Sequence, residues 1–277
     1  MLDLTRTPDD LLAPTQAVVK TALAAVPQLS PNDLMIVGAR CRDILHGALG
    51  HTFVTTATLD LDLALALSSW DAYRSLARAF PKASDSGICY RINGLAVDLL
   101  PFGAVEDPDG VVEPPPRRET MSVWAFEEIY AAASQLRLID DLAIQIPTVA
   151  GYAAAKLGAW LDRCEYGQYK DASDLALAIF WYSESPAVQT RLYETPSGQE
   201  VLVAEDMDVR LASAHLLGAD VATTIGPTRL NELHSRWPGD RDALVRELRI
   251  RGQSQWPSEP GRRSTLVDAL TRGAAAV

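Results

Sequence analysis

The chain has 277 residues, 48% of them hydrophobic and 22% charged, with a formal net charge of −11. That length supports two cores or one large one, and the acidic balance argues against a general nucleic-acid coating, though not against a local basic groove. Cys41, Cys89 and Cys164, and His46, His51, His215 and His234, fall at no metal-ligand spacing, so the thiols read as reduced and no structural zinc site is expected.

No basic-then-apolar leader and no apolar run of about 18 residues is found, so no membrane association is expected and the cytoplasm is the expected compartment. Thr7-Pro8-Asp9-Asp10 reads as a helix start, with the helix running to about Ala25. Leu34-Met35-Ile36-Val37 is a short buried strand ending at Gly38, and a helix opens behind it over Ala39 to Leu45. A loop then leads to the most patterned stretch, Thr58 to Leu67. Its leucines, Leu59, Leu61, Leu63, Leu65 and Leu67, fall on one strand face, and Asp60, Asp62, Ala64, Ala66 and Ser68 fall on the other.

Ser69-Trp70-Asp71 starts a helix that ends near Phe80-Pro81. Asn93-Gly94 marks a two-residue hairpin between Arg91-Ile92 and a strand over Leu95 to Leu100, which Pro101 is expected to end. Residues 104–120, with Pro114-Pro115-Pro116, read as a loop or a short edge strand. From Pro147 onwards the pattern is helical: Val149 to Arg163, Lys170 to Tyr182, a helix capped by Asp208 and stopping at Gly218, then Thr228 to Trp237 and Arg241 to Arg251. The expected fold is therefore α/β (α+β), with a mixed-sheet domain over 1–146 and a helical domain over 147–277. The tryptophans Trp70, Trp124, Trp160 and Trp181 read as core, and the histidines as structural.

Two carboxylates two residues apart on a strand lie about 6.5 to 7 Å apart. Asp98, in the strand after the hairpin, adds a third if the two strands pair. Three neighbouring acids repel unless cations neutralise them. Gly38 lets backbone N–H groups approach a phosphate at a helix start, where Arg40 and Arg42 add countercharge. Lys156 and Arg163 share one face of a largely apolar helix, so Lys156 either reaches to water or meets an anion. Asp171 and Asp174 face together on the next helix or lie on a solvated face.

Gly38-Ala39-Arg40-Cys41-Arg42-Asp43, Thr58-Leu59-Asp60-Leu61-Asp62-Leu63 and Val97-Asp98-Leu99-Leu100 together resemble the polymerase-β-like nucleotidyltransferase superfamily. Lys156 in Ala154-Ala155-Lys156-Leu157, Arg163, and Lys170-Asp171-Ala172-Ser173-Asp174-Leu175 are similar to the AbiEii/MenT branch of toxin nucleotidyltransferases. The resemblance covers roughly residues 34 to 180. It implies the nucleotidyltransferase fold, with Mg²⁺ or Mn²⁺ held by Asp60, Asp62 and Asp98. It places an NTP at Gly38, Ala39, Arg40, Arg42, Arg163, Asp171 and Asp174, with Lys156 and the three acids catalytic. Transfer of an NMP to a hydroxyl follows, the acceptor being a tRNA 3′ end, a protein or a small molecule such as an antibiotic. A cognate antitoxin protein is implied as a partner.

Two positions depart from the family pattern: Ala39 stands where Gly or Ser is usual, and Thr56 where the branch often has Arg. A catalytically weakened nucleotide-binding relative is the alternative these departures raise. A phosphatase or nuclease built on the same acids, and a helical interaction protein, are the remaining readings.

Overall fold

The computed structural model describes residues 9–55, 60–115, 117, 119–138 and 142–276. Thr7, Pro8, Thr56, Thr58, Leu59 and Pro116, each given a place above, lie outside them. The chain divides into two compact units, Met1–Thr148 and Val149–Val277. Among the described residues no helix is long and apolar enough to cross a membrane.

The first unit holds a six-stranded mixed sheet. Its strands are β1 (Leu34–Val37), β2 (Leu61–Leu67), β3 (Cys89–Ile92), β4 (Leu95–Gly103), β7 (Ser134–Arg137) and β8 (Ala143–Ile146), in the order β3-β4-β2-β1-β8-β7. The strands β5 (Val111–Val112) and β6 (Met121–Ser122) pair separately, within the stretch expected to be a loop or edge strand and just after it. The helices are α1 (Asp9–Ala25), α2 (Gly38–Ala48), α3 (Trp70–Ala79) and α4 (Phe126–Ala131).

The alternation in β2 works as its composition dictates. Leu61, Leu63, Leu65 and Leu67 are all buried, each worth roughly 1.5–3 kcal/mol relative to exposure. Tyr90 and Val97 share their face, since Leu61 pairs with Val97 and Val97 with Tyr90. Tyr73 of α3 is fully buried and within electrostatic reach of Tyr90, on the side of this leucine face. Ser69 caps α3, its hydroxyl accepting from the Asp71 N–H at 3.3 Å.

Two strand expectations are corrected. β2 begins at Leu61, so Asp60, expected within the strand, stands exposed just outside the ladder. Its antiparallel partner β1 pairs only as far as Val37 opposite Asp62, because the chain turns into α2 at Gly38. β4 runs through Pro101 to Gly103. The Leu99 N–H points to the β3 side and donates to Ile88. Position 101 points the same way, beyond the start of β3, so the missing proline N–H costs the sheet no bond. β7 and β8 carry too little alternation to be read from sequence, yet β8 lies parallel to β1 and extends the sheet.

The second unit consists of α5 (Val149–Arg163), α6 (Lys170–Glu184), α7 (Pro186–Glu194), α8 (Pro196–Ala204), α9 (Val209–Arg236), α10 (Arg241–Glu247) and α11 (Pro260–Ala275). Trp160 and Trp181 are core, as expected, whereas Trp70 and Trp124 of the first unit are only half-buried. Asp208 caps α9 through the N–H groups of Arg210 and Leu211. Gly218, expected to stop that helix, lies inside it and serves packing instead. A Cβ at Gly218 would come within 2.8 Å of the Ala274 nitrogen on α11, and one at Gly273 within 2.7 Å of the His215 carbonyl carbon. Small residues there let the two backbones approach closely. The break in α9 comes at Gly226, with φ +72, followed by Pro227. α10 ends at Glu247, short of the expected Arg251, where the Trp256 indole N–H takes the Leu248 carbonyl at 2.8 Å.

Candidate active site

The acids of the first unit are brought together by strand register. Asp62 pairs with Asp98 across the parallel strands β2 and β4, about 4.8 Å apart at the backbone. Val37 stands opposite Asp62 on one side, and Cys89 opposite Asp98 on the other. Directly paired residues share a sheet face, so one row reads Val37, Asp62, Asp98, Cys89, on the side away from the leucines. Asp62 and Asp98 are both half-buried.

Gly38 closes this row. It follows Val37 directly, adopts φ +63 and opens α2. A Cβ built on it would fall 2.6 Å from the Asp62 Cγ and closer still to Oδ2. The Asp62 carboxylate therefore lies against the glycine Cα, where any side chain would displace it. The N-cap residue, Val37, has no side chain that can cap α2, and the first turn of the helix starts beside a carboxylate pair.

Two basic residues follow in that turn and differ in what they do. The Arg42 guanidinium is buried and bonded to Asp43, its Nε donating to Oδ1 at 2.9 Å. Asp43 also accepts from the Thr55 hydroxyl at 2.7 Å. His46 shares a 3.0 Å hydrogen bond with the Phe53 carbonyl and meets its ring edge-on. Together these contacts strap residues 53–55 onto α2. Burial, and next the nearby His51, lower the His46 imidazole to about 4, so it is neutral near pH 7. Arg40, by contrast, has its Nε shielded from solvent with no hydrogen-bond partner among the described residues.

Cys89 escaped the sequence reading. Its thiol is half-buried and stands directly across the ladder from Asp98. Burial first, and then Asp98, push it up to about 11, so the proton stays on sulfur near pH 7. Asp60 adds to the same shift and lies within electrostatic reach of the row. A signal for Cys89 was present: a two-residue Asn93-Gly94 turn pairs 92 with 95 and hence 89 with 98.

Lys156, Arg163, Asp171 and Asp174 form a second cluster, within the helical unit. Lys156 Nζ lies 2.6 Å from Asp174 Oδ2 and 3.3 Å from Asp171 Oδ1, and Arg163 Nη1 donates to Asp171 Oδ2 at 2.9 Å. Asp171 is fully buried, and Lys156 is nearly so. Burial works to lower the Lys156 ammonium, but the two carboxylates outweigh it and the net shift is upward. The anion that Lys156 meets thus belongs to its own chain.

A divalent cation fits the Asp62–Asp98 pair by donor chemistry. Mg²⁺ takes oxygen ligands and is commonly held by one or two carboxylates with phosphates and waters completing its shell. The glycine pressed on Asp62 clears the space beside the pair. Among the described residues no three His, Cys, Asp or Glu side chains form a ready-made ligand set; Asp60 is exposed at the start of the strand. In comparison with known proteins, the chain matches no family model and no curated protein.

Proposed function

We propose that this chain is a metal-dependent nucleotidyltransferase of polymerase-β-like type, moving an NMP from an NTP to a hydroxyl and releasing pyrophosphate. One observation carries the reading: Asp62 and Asp98 face each other in register beside Gly38, a glycine that leaves no room for a side chain. The two acids would hold Mg²⁺ or Mn²⁺, with Asp60 completing the shell from the edge of the strand. The cation, when bound, neutralises phosphate charge and lowers the pKa of the attacking hydroxyl.

The protein groups supply position and charge. The N–H groups at the start of α2 receive phosphate oxygens, aided by the helix dipole. Arg40, whose Nε has no hydrogen-bond partner among the described residues, stands in the first turn and serves the developing negative charge. Arg42 acts indirectly, by fixing Asp43 and the strap. The acceptor oxygen forms the new bond to the α-phosphorus. The bond from that phosphorus to the bridging oxygen of the β-phosphate breaks, and the hydroxyl proton passes to Asp98 or to water.

The AbiEii/MenT resemblance places an RNA 3′ end first among acceptors, with a protein or small-molecule hydroxyl next, and brings a cognate antitoxin with it. Label transfer from each α-³²P NTP into total RNA, total protein and a panel of small hydroxyl compounds tests this. The wild-type chain labels one acceptor class. Asp62→Asn and Asp98→Asn lower that labelling about 100-fold or more, since a direct ligand matters at least as much as its outer-shell support. Labelling that survives both substitutions, or none from any NTP, overturns the proposal.

A weakened nucleotide-binding relative is the second reading. Ala39 favours it, supplying no hydroxyl at the turn, as does the exposed position of Asp60. It leads to Mg²⁺-dependent NTP binding without pyrophosphate release.

A further inference from the structure

The paired acids are bracketed from both ends of their row. On one end Gly38 presses on the Asp62 carboxylate and fixes where it can lie. On the other stands Cys89, directly opposite Asp98 on the same face of the sheet, its thiol within electrostatic reach of the carboxylate. The remaining member of the row, Val37, has no side-chain donor.

Cys89 is itself held in place by backbone bonds on both sides. Its strand pairs with β4 in register, and its carbonyl accepts the Ala83 N–H at 2.9 Å. The neighbouring Ile88 carbonyl accepts the Leu99 N–H at 2.9 Å. The sulfur therefore sits on a fixed backbone, on the same face of the sheet as the Asp98 carboxylate.

We infer that Cys89 is a positioning residue for Asp98: its thiol hydrogen holds one carboxylate oxygen towards β3 and leaves the other turned to Asp62. This rests on reading the Asp62–Asp98 pair as a divalent-cation site. A thiol is a weak donor. It orients the carboxylate while withdrawing little of the electron density that a cation needs. Support of this kind, one bond removed from the metal, governs affinity in metal sites generally. Serine at the same place keeps a donor; alanine removes it.

The test is Mn²⁺ binding to the full chain, followed by loss of the free-ion EPR signal, with thermal midpoints read alongside. Wild type, Cys89→Ala, Cys89→Ser and Asp98→Asn are compared. Cys89→Ala weakens Mn²⁺ binding about 10-fold, Cys89→Ser restores it to near the wild-type value, and Asp98→Asn weakens it further still. If Cys89→Ala does not fold, Cys89→Val replaces it, lacking a donor but well suited to a strand. Binding by the donor-less variant equal to wild type, with Asp98→Asn impaired, overturns the role of Cys89 and leaves the acid pair standing. A Ser variant as weak as the Ala variant also overturns it, since packing rather than the donor is then what matters. No Mn²⁺ binding by wild type, or equal binding by Asp98→Asn, removes the acid-pair reading and this inference with it.

Discussion

Gly38 is the residue with the least freedom to change. Its φ of +63 is a conformation L side chains rarely adopt, and the space a Cβ needs is taken by the Asp62 carboxylate. Gly38→Ala is expected to cost about 2 kcal/mol in stability and to lower nucleotidyl transfer, because the carboxylate must move. Urea unfolding and the label-transfer assay read the two effects separately. His46 carries a different consequence. Its pKa falls from 6.5 to about 4 on folding, so the unfolded chain binds the proton more readily between those values. The stability His46 lends is fully present above pH 6.5, declines as the pH falls, and is gone below about 4. The loss approaches about 3 kcal/mol, at about 1.4 kcal/mol for each pH unit of the shift. His46→Gln flattens this slope, which urea midpoints at pH 7 and pH 5 check.

At the scale of elements, the link between α5 and α6 is an ion network rather than a hydrophobic seam alone. Lys156 neutralises two acids, one of them fully buried. Lys156→Ala leaves both short of a countercharge and is expected to destabilise the chain by about 3–5 kcal/mol. A Lys156→Ala chain that keeps its stability and loses only transfer would instead place the ammonium on the triphosphate. The sequence made this cluster visible as a set of residues. It left open which anion Lys156 meets, because the i, i+3 and i, i+7 spacings fix faces of helices and not which faces meet. The α2 and α3 helices were legible from Gly38 and the Ser69 cap, and α5 and α6 from their helical periodicity. The long α9 was not, since Gly218 has the same sequence signature whether it ends a helix or lets a second helix approach.

For the molecule as a whole, two units divide the chain, and the proposed chemistry belongs to the sheet of the first. The leucine alternation in β2 announced both the strand and its acidic face. The local Asn93-Gly94 turn fixed the register of Cys89 against Asp98. The pairing of Asp62 with Asp98 is non-local and parallel, and no turn dictates it; only the assembled sheet displays it. That pairing is also where the function stands or falls. The most direct measurement is a crystal structure of the chain with Mg²⁺ and a non-hydrolysable NTP. The expected result is a cation bridging the Asp62 and Asp98 carboxylates, with the triphosphate against the first turn of α2. A triphosphate bound elsewhere, with both carboxylates free of metal, would contradict it.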